Sequence, residues 1–175
     1  MWVSDGGIGA VIGHAMGHGC DDQGSKSDAN GTQRNWWTAE ERAAFDVRTD
    51  KQPAQYDEYE PIEGNFVNGR NSLGENIGDV GGLSMAYHAY QLSLKGKEAP
   101  IIEGLTGAQR FFLAWAQVWR EIRTEQSMLN QLRAGTHAPG RYRAQAPRNH
   151  DAWYTAFDVQ PGDVLYLAPE DRVRI

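Results

Sequence analysis

The feature that most limits what this chain can become is a pair of histidines four residues apart, His14 and His18, in a stretch crowded with Gly6, Gly7, Gly9, Gly13, Gly17 and Gly19. On a helix, residues four apart are turned by only about 40°, so both imidazoles leave one face and can converge on a single metal ion. Glycine costs about 1 kcal/mol per helix position relative to alanine. A helix so rich in it is not selected for its own stability, and close approach of another backbone or of a ligand is the expected reason. A loop is the alternative for this stretch.

His14-Ala15-Met16-Gly17-His18 is one letter short of the H-E-x-x-H signature, in which the glutamate is the general base of a metallopeptidase. An alanine methyl group can neither take a proton from water nor hold the water by a hydrogen bond. The stretch therefore reads at once as zinc-peptidase architecture and as a missing catalytic base. A catalytic zinc usually takes three protein ligands and keeps a fourth position open. Glu75 is the candidate for the third ligand, because Gly74-Glu75-Asn76-Ile77-Gly78-Asp79 puts two carboxylates one helical turn apart. Asp79 is then expected to accept a hydrogen bond from the far nitrogen of a ligating histidine, fixing its tautomer and orientation.

Periodicity predicts a mainly α chain. The polar, turn-rich stretch from Asp21 to Asn35 reads as a loop, anchored by Trp36 and Trp37. Thr38 with Glu41 forms a capping box that opens a helix ending before Pro53. Residues 71–94 carry Leu73, Ile77, Val80, Leu83, Ala86, Tyr87 and Tyr90 at helical intervals. A second capping box, Thr106 with Gln109, opens a helix whose stripe of Phe111, Trp115, Val118, Trp119 and Ile122 is expected to be core. Shorter helices are expected from Thr124 to Arg133 and from Asn149 to Phe157, with the turn His137-Ala138-Pro139-Gly140-Arg141-Tyr142-Arg143 between them.

Composition removes several function classes. With 40% hydrophobic and 23% charged residues the 175-residue chain is globular, long enough to bury about 70% of its unfolded surface. A net charge of −6 without a lysine or arginine patch argues against nucleic acid or an anionic membrane as partner. No apolar run reaches the roughly 18 residues of a membrane span. The single cysteine, Cys20, excludes an internal disulfide and is expected to be a buried small hydrophobe. His88 and His150 lack partner spacing and are expected at the surface. No charged n-region followed by an apolar h-region opens the chain.

Four motifs in order carry a family resemblance: Gly9-Ala10-Val11-Ile12-Gly13-His14-x-Met16-Gly17-His18-Gly19-x-Asp21-Asp22-Gln23-Gly24; Asn35-Trp36-Trp37-Thr38; Leu73-Gly74-Glu75-Asn76-Ile77-x-Asp79-x-Gly81-Gly82; and Phe112-Leu113-x-x-Ala116-Gln117-Val118-Trp119. Together they resemble the C-terminal part of the neprilysin family of zinc metallopeptidases, which takes in neprilysin, endothelin-converting enzymes and bacterial endopeptidases. The likeness runs from about residue 6 to Arg172-Val173-Arg174. It implies a zincin (thermolysin-like) helical subdomain, with residues 1–175 as the zinc-binding C-terminal part of a catalytic domain. It implies zinc held by His14, His18 and Glu75, with Asp79 behind a ligating histidine. His137 takes the place of the transition-state histidine and Arg143 that of the arginine on the substrate carbonyl, and both suit charge developing on an oxygen.

The chain departs from the pattern in three ways. Ala15 stands where the family has its glutamate, Cys20 replaces an aromatic residue, and the family's upstream half, with its substrate-holding Asn-Ala strand, has no counterpart here. The expected function is a zinc-dependent metalloendopeptidase whose activity in this chain is lost or very weak. The alternative is a pseudo-peptidase or fragment that binds zinc and a peptide or protein partner without cleavage. The resemblance implies a periplasmic or extracellular setting, although no segment of the chain directs export.

Overall fold

Two helices whose backbones touch organise the molecule. In a computed structural model that describes residues 4–175, helix α1 spans Ala10–Gly17, entered through a π-helical turn at Asp5–Gly9 and left through a 3-10 turn at His18–Cys20. Met1 to Val3, read above for a leader segment, lie outside the described residues. The next helices in order are α2 (Ala39–Thr49), α3 (Lys51–Asp57) and α4 (Leu73–Ser93). They are followed by α5 (Gly107–Val118), α6 (Glu125–Ala134), α7 (Gly140–Arg143) and α8 (Asp151–Phe157). Among the described residues there is no strand, only three isolated bridges. The chain is mainly α, as its periodicity predicts.

The glycines explain how closely α1 and α4 pack. A Cβ on Gly13 would sit 2.9 Å from the Gly82 carbonyl oxygen, and one on Gly82 only 2.5 Å from the His14 amide nitrogen. Both distances are shorter than real side chains tolerate, so the crossing exists only because neither position carries one. Around it Ala10, Val80, Leu83 and Ala86 are buried with Tyr90, Phe111, Phe112 and Trp115. Tyr87 extends this core through rings stacked on Phe112 at 5.5 Å and edge-on to Phe111 at 5.1 Å. A smaller cluster of Tyr56, Val67, Ala138 and Tyr142 packs beneath the turn that carries His137.

Local signals account for the helix ends. Both capping boxes form: Thr38 accepts from the Glu41 amide and Thr106 from the Gln109 amide, each with the reciprocal bond. Helix α2 ends at Thr49, ahead of Pro53, which falls in the first turn of α3, where a missing N–H leaves no helical bond unmade. That short helix, Lys51–Asp57, is an addition to the sequence reading.

Three expectations need correction. The α5 stripe is core only at Phe111 and Trp115; Val118 is 44% exposed and Ile122 fully so. The helix ends at Val118 in a turn at Trp119, and residues 120–124 have no regular structure, so helical spacing no longer puts Ile122 on the buried side. Cys20 is exposed, because the 3-10 turn leaving α1 directs Asp21 inward and Cys20 outward. His150 is half-buried, its ring edge-on to Tyr87 at 5.0 Å and to Phe112 at 5.5 Å, with Nδ1 unpartnered. Its partner is an aromatic nest, which no sequence spacing announces.

Two outcomes follow from this packing. Gly82→Ala should lower stability by about 1–3 kcal/mol in urea unfolding, since the added methyl has to push α1 away. Burial holds the His150 pKa below its ordinary value despite Asp151 nearby. Its neutral form is therefore favoured by folding, and its contribution is complete above the unfolded value of about 6.5 and lost as pH falls through the lower folded value. His150→Phe should be less acid-sensitive than the parent when urea midpoints are compared across about pH 5–8.

Candidate metal centre

The α1–α4 crossing puts both carboxylates of α4 opposite both histidines. His14 leaves the inner face of α1, and Gly78 makes room for it: a Cβ there would lie 2.7 Å from His14 Nδ1. His14 Nδ1 donates to Asp79 Oδ1 at 2.8 Å, and His18 Nδ1 donates to Asp21 Oδ2 at 2.8 Å. With Nδ1 of each ring on a carboxylate, each Nε2 points the other way. Both Nε2 atoms meet at Glu75: His14 Nε2 lies 3.2 Å and His18 Nε2 3.6 Å from Glu75 Oε2. The two rings are nearly perpendicular, at 87°, with centroids 4.6 Å apart.

His14, His18 and Glu75 form a group able to hold a metal ion, with candidate ligand atoms all within 4.8 Å of one another. Tetrahedral coordination at about 2.0–2.2 Å places ligand atoms roughly 3.3 Å apart, close to the spacing of these atoms. Glu75 Oε2 is buried without a hydrogen bond of normal geometry, and three imidazole nitrogens crowd it: His14 Nε2 at 3.2 Å, His18 Nε2 at 3.6 Å and His137 Nε2 at 2.8 Å. Two nitrogens and one carboxylate oxygen form a borderline-hard donor set that suits zinc.

The groups around this cluster are strongly coupled. Burial opposes charge on His14, but the carboxylates of Asp79 and Glu75 outweigh it and raise its pKa to about 9. Burial pushes the Glu75 carboxyl up, and the three histidines around it more than reverse that, holding it below the ordinary range. His137 lies on the segment between α6 and α7, where Gln131 donates to its carbonyl oxygen at 3.0 Å and Asn71, ahead of α4, donates to Gly135 O at 2.7 Å. Its Nε2 reaches Glu75 Oε2 at 2.8 Å while its side chain stays 47% exposed. Burial, with Arg143 and His14, pulls its pKa below the ordinary value despite Glu75.

Arg143 ends the four-residue helix α7 and is fastened from three sides. Its Nε and Nη2 donate to Asp79 Oδ2 and Oδ1 at 2.8 and 2.7 Å, and its guanidinium lies 3.8 Å over the Trp119 ring. Its backbone carbonyl accepts from Trp115 Nε1 at 3.1 Å. Nη1 has no hydrogen-bond partner among the described residues. Ala15 is exposed on α1, with its methyl toward solvent. The structure thus brings His14, His18, Glu75, Asp79, His137 and Arg143 together. Two contacts are absent from the sequence reading: Asp21 behind His18, which the His18-x-x-Asp21 spacing could have signalled, and Trp119 beneath Arg143, which no local pattern marks.

Residues 2–173 match the family described as Peptidase family M13. The chain belongs to peptidase family M13. Endothelin-converting enzyme 1 of Cavia porcellus is 45% identical over 164 residues, covering 91% of this chain and 22% of that protein. The neutral endopeptidase of Lactobacillus helveticus is 35% identical over 173 residues, covering 97% of this chain and 25% of that protein. Among solved structures, the Mycobacterium tuberculosis zinc metalloprotease Zmp1 in complex with an inhibitor superimposes with a TM-score of 0.95 at 48% identity. That match covers 99% of this chain and 28% of Zmp1, so the chain spans about a quarter of the length of the relatives it matches. The zincin reading of the fold agrees with these neighbours, and M13 members are zinc metallopeptidases.

The Asp79–Arg143 pair offers a direct check. Both groups are buried, so Arg143→Met leaves a buried carboxylate without its cation and should lower stability by about 3–5 kcal/mol in urea unfolding. Arg143→Lys should recover only part of that, since an ammonium supplies neither the paired N–H geometry nor the stacking on Trp119.

Proposed function

We propose that this chain is the zinc-holding part of a metalloendopeptidase site, with zinc bound by His14, His18 and Glu75 and with peptide hydrolysis lost or very weak because Ala15 stands at the general-base position. The observation that supports the reading is the convergence of His14, His18 and Glu75, with candidate ligand atoms all within 4.8 Å of one another and both histidine Nδ1 atoms already on carboxylates. Zinc, when bound, supplies a Lewis acid that polarises a carbonyl oxygen and water.

The remaining work falls to side chains. An open cavity of about 440 Å³ lies against His18 and Glu75, walled by Asp22, Arg70, Asn71 and Thr136, and gives a peptide room to approach. His137 sits at the rim with its Nε2 toward the cluster, placed to donate to an oxygen that gains negative charge. The Arg143 Nη1 edge, outside its pair with Asp79, is the group for a substrate carbonyl. At position 15 the methyl group accepts no proton, and loss of a general base lowers the rate by about 10²–10⁴. In this reading residues 1–175 are the zinc-binding C-terminal part of a catalytic domain, and the ligand is a peptide. Among the described residues no helix is long and apolar enough to cross a membrane.

Ala15 also supports a second reading, a protein that binds zinc and peptide without cleaving it. Restoring the base separates the two. Ala15→Glu should raise hydrolysis of a quenched fluorescent peptide by about 10² or more over the parent, in a manner abolished by a chelator. Elemental analysis should give one zinc per chain for both proteins. Parent turnover equal to that of Ala15→Glu would falsify the assigned lesion, whereas a silent Ala15→Glu variant that holds zinc would favour the binding protein.

A further inference from the structure

The cavity against His18 and Glu75 carries one cation that the candidate metal centre does not use. Arg70 stands on the loop leading into α4 and lines this space of about 440 Å³ with Asp22, Asn71 and Thr136. Its side chain is exposed and makes no hydrogen bond or ion pair among the described residues. The backbone that presents it is fixed on both sides. The Gly69 amide donates to Asp57 Oδ1 at 2.7 Å, and a Cβ on Gly69 would run into the Pro53 carbonyl oxygen of α3. The Asn71 amide donates to Asn68 Oδ1 at 2.8 Å, and Asn71 Nδ2 donates to the Gly135 carbonyl oxygen at 2.7 Å. A free guanidinium is thus held out by an anchored loop.

The acids on the same wall are engaged elsewhere. Asp21 accepts from His18 Nδ1 and from the Gln23 and Gly24 amides. Asp22 Oδ2 accepts from Gln23 Nε2 at 2.6 Å, and its Oδ1 is buried against Gly74, where a Cβ would lie 2.8 Å from it. Glu75 Oε2 faces three imidazoles. A guanidinium is always charged, and its planar fork of N–H donors fits a carboxylate in two parallel bonds. Arg143, the group for a substrate carbonyl, does not line this cavity, so the two arginines meet a bound peptide at different places along it.

We propose that Arg70 is a specificity-determining residue that pairs with a carboxylate of the bound peptide, so that the site prefers acidic ligands. The inference rests on the peptide-binding reading above and adds to it the chemical class of the ligand. An acidic side chain and the peptide's own C-terminus share this chemistry. With a net charge of −6 the field of the whole chain disfavours acidic peptides, and a preference for them therefore reports a local cation.

Fluorescein-labelled peptides of one neutral sequence test this, with a single glutamate, glutamine or lysine moved through it and the C-terminus free or amidated. Anisotropy reads their binding to the zinc-loaded parent. At one position glutamate should bind about 3–10-fold more tightly than glutamine, as expected of a partly exposed charge pair. The preference should vanish in Arg70→Ala, survive in part in Arg70→Lys, turn toward lysine in Arg70→Glu, and weaken as sodium chloride is raised. A preference for the free over the amidated C-terminus, lost in Arg70→Ala, would instead place the carboxylate at the peptide's end. Helix content and zinc stoichiometry of the variants should match the parent.

Equal binding by the parent of glutamate and glutamine peptides, and of free and amidated ones, overturns the proposal without reference to any variant and leaves peptide binding standing. A preference that Arg70→Ala retains overturns it as well, since another group then holds the carboxylate. A parent that binds no peptide of the series, with or without zinc, overturns the peptide reading, and the role of Arg70 with it.

Discussion

Everything at the candidate metal centre depends on one contact between backbones, the crossing of α1 and α4 at Gly13 and Gly82. The candidate ligands sit on α4 and at the C-terminal end of α1, and each helix alone offers only half of a donor set. A methyl group at either glycine would separate the axes and carry His14 away from Glu75 and Asp79. The glycines weaken α1 as an isolated helix, which explains why it is short and why its stability comes from burial against its neighbour. The aromatic core of Tyr87, Tyr90, Phe111, Phe112 and Trp115 holds α4 and α5 together and so keeps that neighbour in place.

Asp79 is where this packing becomes chemistry. Fully buried, it accepts from His14 and from Arg143 at once, and Arg143 in turn lies over Trp119. A chain of three contacts thus links the orientation of one imidazole to the end of α5 and to the α7 turn. The same arrangement balances charge. A buried carboxylate beside a second one, Glu75, is tolerable because a guanidinium and the imidazoles surround the pair.

How much of this was legible in the sequence depended on distance along the chain. The pairs His14 with His18 and Glu75 with Asp79 were readable because helical periodicity is a local rule, and both capping boxes were readable for the same reason. That these two helices meet follows in the sequence only from the need of two histidines for a third ligand and from the family resemblance, since no packing signal within either segment specifies the other. The errors follow the same logic. Ile122 was placed in the core by carrying the helical period past the true end of α5, and Cys20 by ignoring the tight turn after α1. His150 was placed at the surface because its partners, Tyr87 and Phe112, are far from it in sequence. Asp21, three residues after His18, carries a local signal of the same kind as the His14–His18 and Glu75–Asp79 pairs.

The contrast between the two imidazole supports also bears on the order in which the molecule assembles. The His18 partner is three residues away, whereas the two groups gathered on Asp79 lie 65 and 64 residues from it along the chain. Closing a loop of that size carries an entropy that grows with the logarithm of its length, and such contacts form late. The His18 end can therefore be set while the chain is still open, and the His14 end only once α4, α5 and α7 have docked. A complete donor set is in that sense a report that folding has finished, and a chain trapped short of the native state presents a metal with a single prepared imidazole.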